Sequence, residues 1–147
     1  MRVFIDTNII LDYFMHREGF EDVENLLKTL QKRKVEMMMS VGGFYTMHFV
    51  ILKYLHKERG LTGEECLSNL RGVLQQILKL FVVAEHDNDS LMRGVTDEAF
   101  QDLEDSCQYQ LAQKAGCTAL ITFNTTDYAK VGESGMKVMT PGDYLKQ

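Results

Sequence analysis

The 147-residue chain has no tryptophan, a single proline and only three cysteines. Cys66, Cys107 and Cys117 form no CxxC pair and no even set, which excludes a disulfide framework and predicts reduced, partly buried thiols. No apolar run approaches the roughly 20 residues of a membrane span, because Asp, Asn or Lys interrupts the longest candidates. Asp6 stands where a signal peptide would keep its apolar stretch. We therefore predict a cytoplasmic protein with no membrane association.

Basic residues are fewer than acidic residues, 16 against 21. The formal net charge of −5 argues against a protein that holds nucleic acid through a generally basic surface. Local basic patches remain, at 28–34 and at 53–59. Hydrophobic residues make up 45% and charged residues 25%, close to the average for globular proteins. No repeat or linker is visible, so we predict one domain spanning residues 1–147.

Short runs of β-branched, aromatic and methionine residues predict a strand wherever a turn signal ends the run. These strands are predicted at 2–5, 35–39, 80–84, 118–123 and 137–139. Apolar spacings of three and four predict helices at 7–14, 21–33, 44–58, 64–78, 88–98 and 101–115. Strands that are apolar throughout and alternate with helices are typical of a parallel sheet covered on both faces. The predicted fold is a three-layer α/β/α sandwich with about four to five strands.

Two of the predicted helices carry an apolar stripe. The predicted stripes are Leu67, Leu70, Leu74 and Leu78 on one helix, and Leu103, Cys107, Leu111 and Ala115 on the other. On the second helix Asp102 and Asp105 are three residues apart, so they share a face opposite the stripe.

Polar side chains follow the first and fourth strands and begin the helix before the fourth. They are Asp6, Thr7 and Asn8; Asn124, Thr125, Thr126 and Asp127; and Asp102, Glu104 and Asp105. Ligands of open parallel sheets collect at the carboxyl ends of the strands. Three separate segments are therefore expected to bring acids to one edge of the sheet.

Clustered carboxylates raise one another's pKa unless a cation neutralises them. A set of oxygen ligands without Cys or His suits Mg²⁺ or Mn²⁺. Such an ion activates a water for attack on a phosphodiester. These residue types therefore favour metal-assisted phosphodiester hydrolysis.

The same segments resemble a known family. The run VFIDTNIILD at 3–12 is similar to the opening of a PIN domain, in which the acid after the first strand is a metal ligand. The segment DLEDSCQY at 102–109 resembles the family's later acidic helix start, and LITFNTTDY at 120–128 resembles its final T-x-N-x-x-D-[FY] signature. Thr140-Pro141 resembles the closing strand and turn. The three motifs occur in the family's order and extend over nearly the whole chain.

This resemblance implies a Mg²⁺- or Mn²⁺-dependent ribonuclease, often the toxin of a bacterial toxin–antitoxin pair of VapC type. Its implied partners are an RNA substrate, a cognate antitoxin and a second copy of the chain in a homodimer. Carried over residue by residue, the implied metal ligands are Asp6, Asp105 and Asp127. The catalytic set adds Asp102 and Asn124, and the supporting residues are Thr7, Asn8 and Thr122.

One position departs from the family's pattern. The family usually carries an acid on the helix after the second strand, and the count from Ser40 places Thr46 there. A hydroxyl offers no charge, so a site without this carboxylate holds cations more weakly. The alternative to an active ribonuclease is therefore a catalytically weakened PIN-like module that binds nucleic acid or a protein.

Simpler roles compete with the site hypothesis. Asp6 and Asn8 are typical caps for the first helix. Asp102 and Asp105 suit the positive end of a helix dipole. Asn124 and Asp127 are suited to shaping a turn. The convergence of all three segments favours a site over these separate roles.

Overall fold

The strands are β1 (Arg2–Ile5), β2 (Glu36–Ser40), β3 (Val82–Ala84), β4 (Ala119–Ile121) and β5 (Lys137–Met139). In the computed structural model, which describes residues 1–131 and 134–147, they form a parallel sheet in the order β3-β2-β1-β4-β5. Val3 of the central strand pairs with Met37 on one side and with Ala119 on the other. The predicted α/β class, parallel sheet and strand number are confirmed.

The helices are α1 (Thr7–Phe14), α2 (Phe20–Lys32), α3 (Val41–Lys57), α4 (Gly63–Leu80), α5 (Asn88–Thr96), α6 (Leu103–Lys114) and α7 (Pro141–Leu145). A 3₁₀ turn spans Thr125–Tyr128. The predicted start of α3 at residue 44 was late, because the Ser40 hydroxyl accepts a hydrogen bond from the Gly43 amide at 2.8 Å and caps the helix earlier. Helix α7 was not predicted, although Pro141 at its first turn is a typical start signal.

Side chains of the strands alternate between two apolar layers. Phe4, Met38 and Leu120 pack on one face with α6, while Ile5, Met39 and Ile121 pack on the other with α1 to α4. Both faces are buried, as near-continuous apolar strands require. Within the described residues, no helix combines the length and apolarity needed to cross a membrane. All three cysteines are free thiols, as predicted.

The predicted apolar stripe of α6 was right only in part: Leu111 is in the core and Ala115 packs against it. Leu103 is 52% exposed, whereas the polar Ser106 and Gln108 are buried. Gly94 of α5 accounts for the burial of Ser106. A Cβ at Gly94 would lie 2.6 Å from the Cys107 Sγ, and the Gly94 carbonyl accepts a hydrogen bond from the Ser106 hydroxyl at 2.6 Å. Close packing of α5 therefore buries the Ser106 side of α6.

The predicted stripe of α4 was also displaced. Leu67 and Leu78 are exposed, while Cys66, Leu70 and Ile77 are buried. A residue spacing of three to four fits both sets, so periodicity alone does not choose between neighbouring faces.

Candidate acidic site at the carboxyl edge of the sheet

Asp6 leaves β1 at the carboxyl edge and stands at the N-cap of α1 without forming a side-chain capping hydrogen bond. Its carboxylate instead accepts a hydrogen bond from the Thr122 hydroxyl at 2.9 Å. Both side chains are buried, and the Asp6 amide donates to the Ile121 carbonyl at 3.0 Å. Asp6 thus occupies the N-cap position of α1, but its carboxylate faces the end of β4.

Burial raises the pKa of the Asp6 carboxyl above its usual range. The Thr122 hydroxyl, the Gln108 amide and the backbone N–H groups of Thr7 and Asn8 lower the pKa of Asp6 by a smaller amount. None of the ion pairs in the described part of the chain includes Asp6. A buried carboxylate of this kind is stabilised either by a proton or by a cation.

Asp105 lies in the first turn of α6 and is half-buried. Burial, followed by the charges of Asp6, Asp102 and Asp127 in that order, raises the pKa of Asp105 to about 7, against a smaller lowering by the Tyr128 hydroxyl. The acids of three separate segments are therefore close enough to interact electrostatically. This is the arrangement expected where parallel strands end together.

Asp102 is exposed and caps α6, accepting hydrogen bonds from the amides of Glu104 at 2.8 Å and Asp105 at 3.2 Å. Asp102 is therefore the N-cap of α6, a role that was not predicted from the sequence. Burial raises the pKa of Glu104, with smaller contributions from the charges of Asp102 and Asp6. Asp102 thus fixes the helix start and adds negative charge to the edge.

Asn124 and Asp127 form the rim of the edge. The Asn124 amide donates to the Thr122 hydroxyl at 3.1 Å, and the Asn124 side chain donates to the Asp127 carboxylate. Both residues also shape the 3₁₀ turn, since the Asp127 amide bonds to the Asn124 carbonyl at 3.2 Å. Asp127 therefore combines a place in this turn with a charge that acts on Asp105.

Thr7 is buried and Asn8 is exposed at the start of α1. A Cβ at Gly43 would lie 2.6 Å from the Thr7 Oγ1 and 2.9 Å from the Ser40 Oγ, so the first turn of α3 reaches the acidic edge only with glycine here. Thr46 follows on the next turn of α3 and is exposed. Position 46 is thus on the helix that borders the site.

Two residues at this edge escaped the sequence prediction. The Gln108 Oε1 and the Tyr128 hydroxyl are buried and have no hydrogen-bond partner of normal geometry in the described residues. Gln108 nevertheless faces Asp6, and Tyr128 faces Asp105, closely enough to lower the pKa of each acid. Gln108 is one helical turn after Asp105, a spacing that identifies it once Asp105 is taken as a site residue.

The sequence pattern of the PIN domain family matches residues 2–126. The chain belongs to the PIN domain family. Among curated proteins, "Ribonuclease VapC1" from Aquifex aeolicus is 27% identical over 132 residues, covering 87% of this chain and 85% of that protein. The resemblance of the sequence to PIN domains is therefore confirmed.

Two solved structures share this fold. A chain in the structure of VapBC2 from Rickettsia felis bound to a promoter DNA fragment matches with a TM-score of 0.67 and 12% identity, covering 95% of this chain and 98% of that one. VapC20 from Mycobacterium tuberculosis, described as a toxin cleaving the sarcin-ricin loop, matches with a TM-score of 0.58 and 14% identity, covering 90% and 97%. At these identities the likeness concerns the fold.

The donor set of this PIN domain fits a hard divalent cation in chemistry and charge. Its acids supply oxygen ligands, burial and mutual repulsion disfavour their ionised forms, and the Gln108 Oε1 is a further unpaired oxygen. Within 1–131 and 134–147, no three His, Cys, Asp or Glu side chains are spaced to hold a metal ion as they stand. The residues thus match a hard cation in donor type and charge, but their described side chains do not form a complete coordination shell.

Proposed function

We propose that this PIN domain is a Mg²⁺- or Mn²⁺-dependent endoribonuclease of VapC type. The observation that carries the proposal is the pair of acids at the edge of the sheet, buried Asp6 and half-buried Asp105, whose pKa values are both raised. Acids with raised pKa values are typical of catalytic centres, where burial and neighbouring like charges shift the pKa to suit the reaction. The likeness to a VapC ribonuclease over most of the chain gives independent support.

Each residue of the site has a proposed role. Asp6, Asp105 and Asp127 hold the ion, and Asp102 and Asn124 complete the catalytic set. Asp102 keeps the first turn of α6 in place, while Asn124 orients Asp127 through their hydrogen bond. Thr7, Asn8 and Thr122 support the set, with Thr122 fixing the Asp6 carboxylate. The bound ion supplies water activation for attack on a phosphodiester.

We further propose two protein partners, a cognate antitoxin and a second copy of this chain. The VapBC2 structure from Rickettsia felis supports the first, because its fold match holds over nearly the full length of this chain. Tyr45 and Phe49, which are 67% and 63% exposed on α3, support the second. Exposed apolar side chains on one helix face are typical of a protein interface.

The second candidate function is a weakened module that binds nucleic acid or a protein without cleaving RNA. Thr46 favours it, because this position carries no charge on the helix that borders the site. Cation affinity depends on the number of anionic oxygens offered. The two candidate functions share a fold and differ in whether the protein binds a metal ion and cleaves RNA.

Cleavage of a fluorescently labelled single-stranded RNA tests the proposal. We expect fragments in Mn²⁺ or Mg²⁺, no fragments in EDTA, and recovery when Mn²⁺ is restored. A preparation of Asp6→Asn made in parallel controls for contaminating nucleases. RNA binding without cleavage in any of these conditions would favour the weakened module.

The substitution Thr46→Glu is expected to tighten Mn²⁺ binding about tenfold, since it adds a carboxylate beside the site. Cleavage is expected to rise with metal affinity. Calorimetric titration with Mn²⁺ and the RNA assay check both effects. Thr46→Gln is the matched control, because it has the same length without charge.

Equal Mn²⁺ affinity in Thr46→Glu and Thr46→Gln would show that position 46 does not face the acids. Tighter metal binding without cleavage would instead favour the weakened module. The two outcomes therefore separate an error in the placement of Thr46 from an error in the proposed activity.

A further inference from the structure

An exposed aromatic ring stands beside the acidic edge. Phe123 directly follows Thr122, the residue whose hydroxyl binds Asp6, and it leaves the sheet just after β4 ends at Ile121. The side chain is 41% exposed. A single exposed apolar residue is ordinary on a protein surface. This ring, however, is one residue from Thr122 and so lies next to the buried centre of the acidic site.

The ring is held on one side by backbone. A Cβ at Gly19 would lie 2.5 Å from the Phe123 Cζ and 2.6 Å from the Asp12 Oδ2. The Gly19 amide donates a hydrogen bond to that same Asp12 oxygen at 3.1 Å. Only glycine permits this close approach, so the contact fixes the ring edge against the start of α2. A fixed ring loses little conformational entropy when it binds a ligand.

Beyond the ring is a cleft of about 480 Å³ lined by Asp12, Glu18, Gly19, Asp22 and Phe123. Its volume is within the usual range of small-molecule sites. The three carboxylates disfavour a phosphate in the cleft, because like charges repel. They favour N–H donors, such as the amino group of a base edge. The lining therefore suits a nucleobase better than an RNA backbone.

We propose that Phe123 stacks against a base of single-stranded RNA bound at the acidic edge. This inference rests on the proposed ribonuclease function and extends it to how the substrate is held. Unpaired bases are commonly held by stacking on aromatic side chains. The carboxylates of the cleft favour adenine, cytosine or guanine over uracil, which has no exocyclic amino group.

The test is the affinity for labelled single-stranded RNA, measured by fluorescence anisotropy in an Asp6→Asn background that prevents cleavage. Adding Phe123→Ala is expected to weaken binding about tenfold. Phe123→Leu should weaken it similarly, because an apolar side chain without a ring does not stack. Phe123→Trp should restore it. Oligo(A) and oligo(C) should bind more tightly than oligo(U).

Leu78→Ala is the matched control. Leu78 is 49% exposed on α4, three residues before Phe81 leads into β3, and so lies toward the opposite edge of the sheet. We expect its RNA affinity to equal that of the Asp6→Asn parent. Thermal melting of every variant should show an unchanged Tm, since neither exposed side chain is part of the core.

Unchanged affinity in Phe123→Ala, or equal loss in Leu78→Ala, would overturn the stacking role. Preference for oligo(U) would overturn the role of the carboxylates. In both cases, cleavage by the wild type would leave the proposed ribonuclease function standing. A wild type that neither binds nor cleaves RNA would contradict the function itself, and the inference with it.

Discussion

Asp6→Asn is expected to lower RNA cleavage about a thousandfold, because a metal ion contributes several kcal/mol of charge stabilisation to such reactions. The fold should survive the change. Asparagine keeps an oxygen that accepts the Thr122 hydroxyl hydrogen bond now made to the carboxylate at 2.9 Å. It also removes a buried charge whose ionised form burial disfavours. The Tm without metal should therefore stay the same or rise.

Parallel measurements of cleavage and thermal melting check this prediction. Thr46→Gln is the control, because it changes a residue near the site that is not a proposed metal ligand. A strongly lowered Tm in Asp6→Asn, together with retained cleavage, would show that the carboxylate serves the fold. That outcome would remove Asp6 from the proposed catalytic set.

Asp105 is expected to make both stability and metal binding depend on pH. Its folded pKa is raised to about 7 from an ordinary value of 3.8. Between these values the folded state holds a proton that the unfolded state has lost. The free energy of unfolding of the metal-free protein should therefore fall as pH rises from about 4 to about 7. Asp105→Asn should weaken this decline and raise the Tm at pH 8 by about 2–4 °C.

A cation competes with the same proton. With a pKa of about 7, the ionised fraction of Asp105 rises about tenfold between pH 6 and pH 8, so Mn²⁺ affinity should rise by a similar factor. Melting curves and Mn²⁺ titrations at these two pH values provide the check. Asp143→Asn, at an exposed acid of α7, is the control. A metal-free Tm that increases toward pH 8 would contradict the assignment of a raised pKa to Asp105.

Much of the fold was predictable because local patterns and tertiary demands agree. β1, β2 and β4 each contain three consecutive apolar residues, as a sheet covered on both faces requires. The buried residues Val23, Leu26, Leu27 and Leu30 of α2 follow the helical period. The acids after β1 and at the start of α6 were placed at one edge by the parallel topology alone.

The rest depended on packing that the local sequence does not encode. Ser106 of α6 is buried because Gly94 lets α5 approach closely. Gln108 is buried beside Asp6 and was overlooked because a polar side chain within a helix is expected to face solvent. The hydrogen bond between Asp6 and Thr122 joins residues that are 116 positions apart in the sequence. Such a contact follows only when β1 and β4 are known to be neighbours.

Calorimetric titration of Mn²⁺ into the metal-free protein at pH 8, beside Asp6→Asn, tests the central claim most directly. If the acids at the carboxyl edge form the cation site, the wild type should bind Mn²⁺ saturably and Asp6→Asn at least about tenfold more weakly, since one anionic ligand is lost. Equal binding by the two proteins, or no binding by the wild type, would contradict the account.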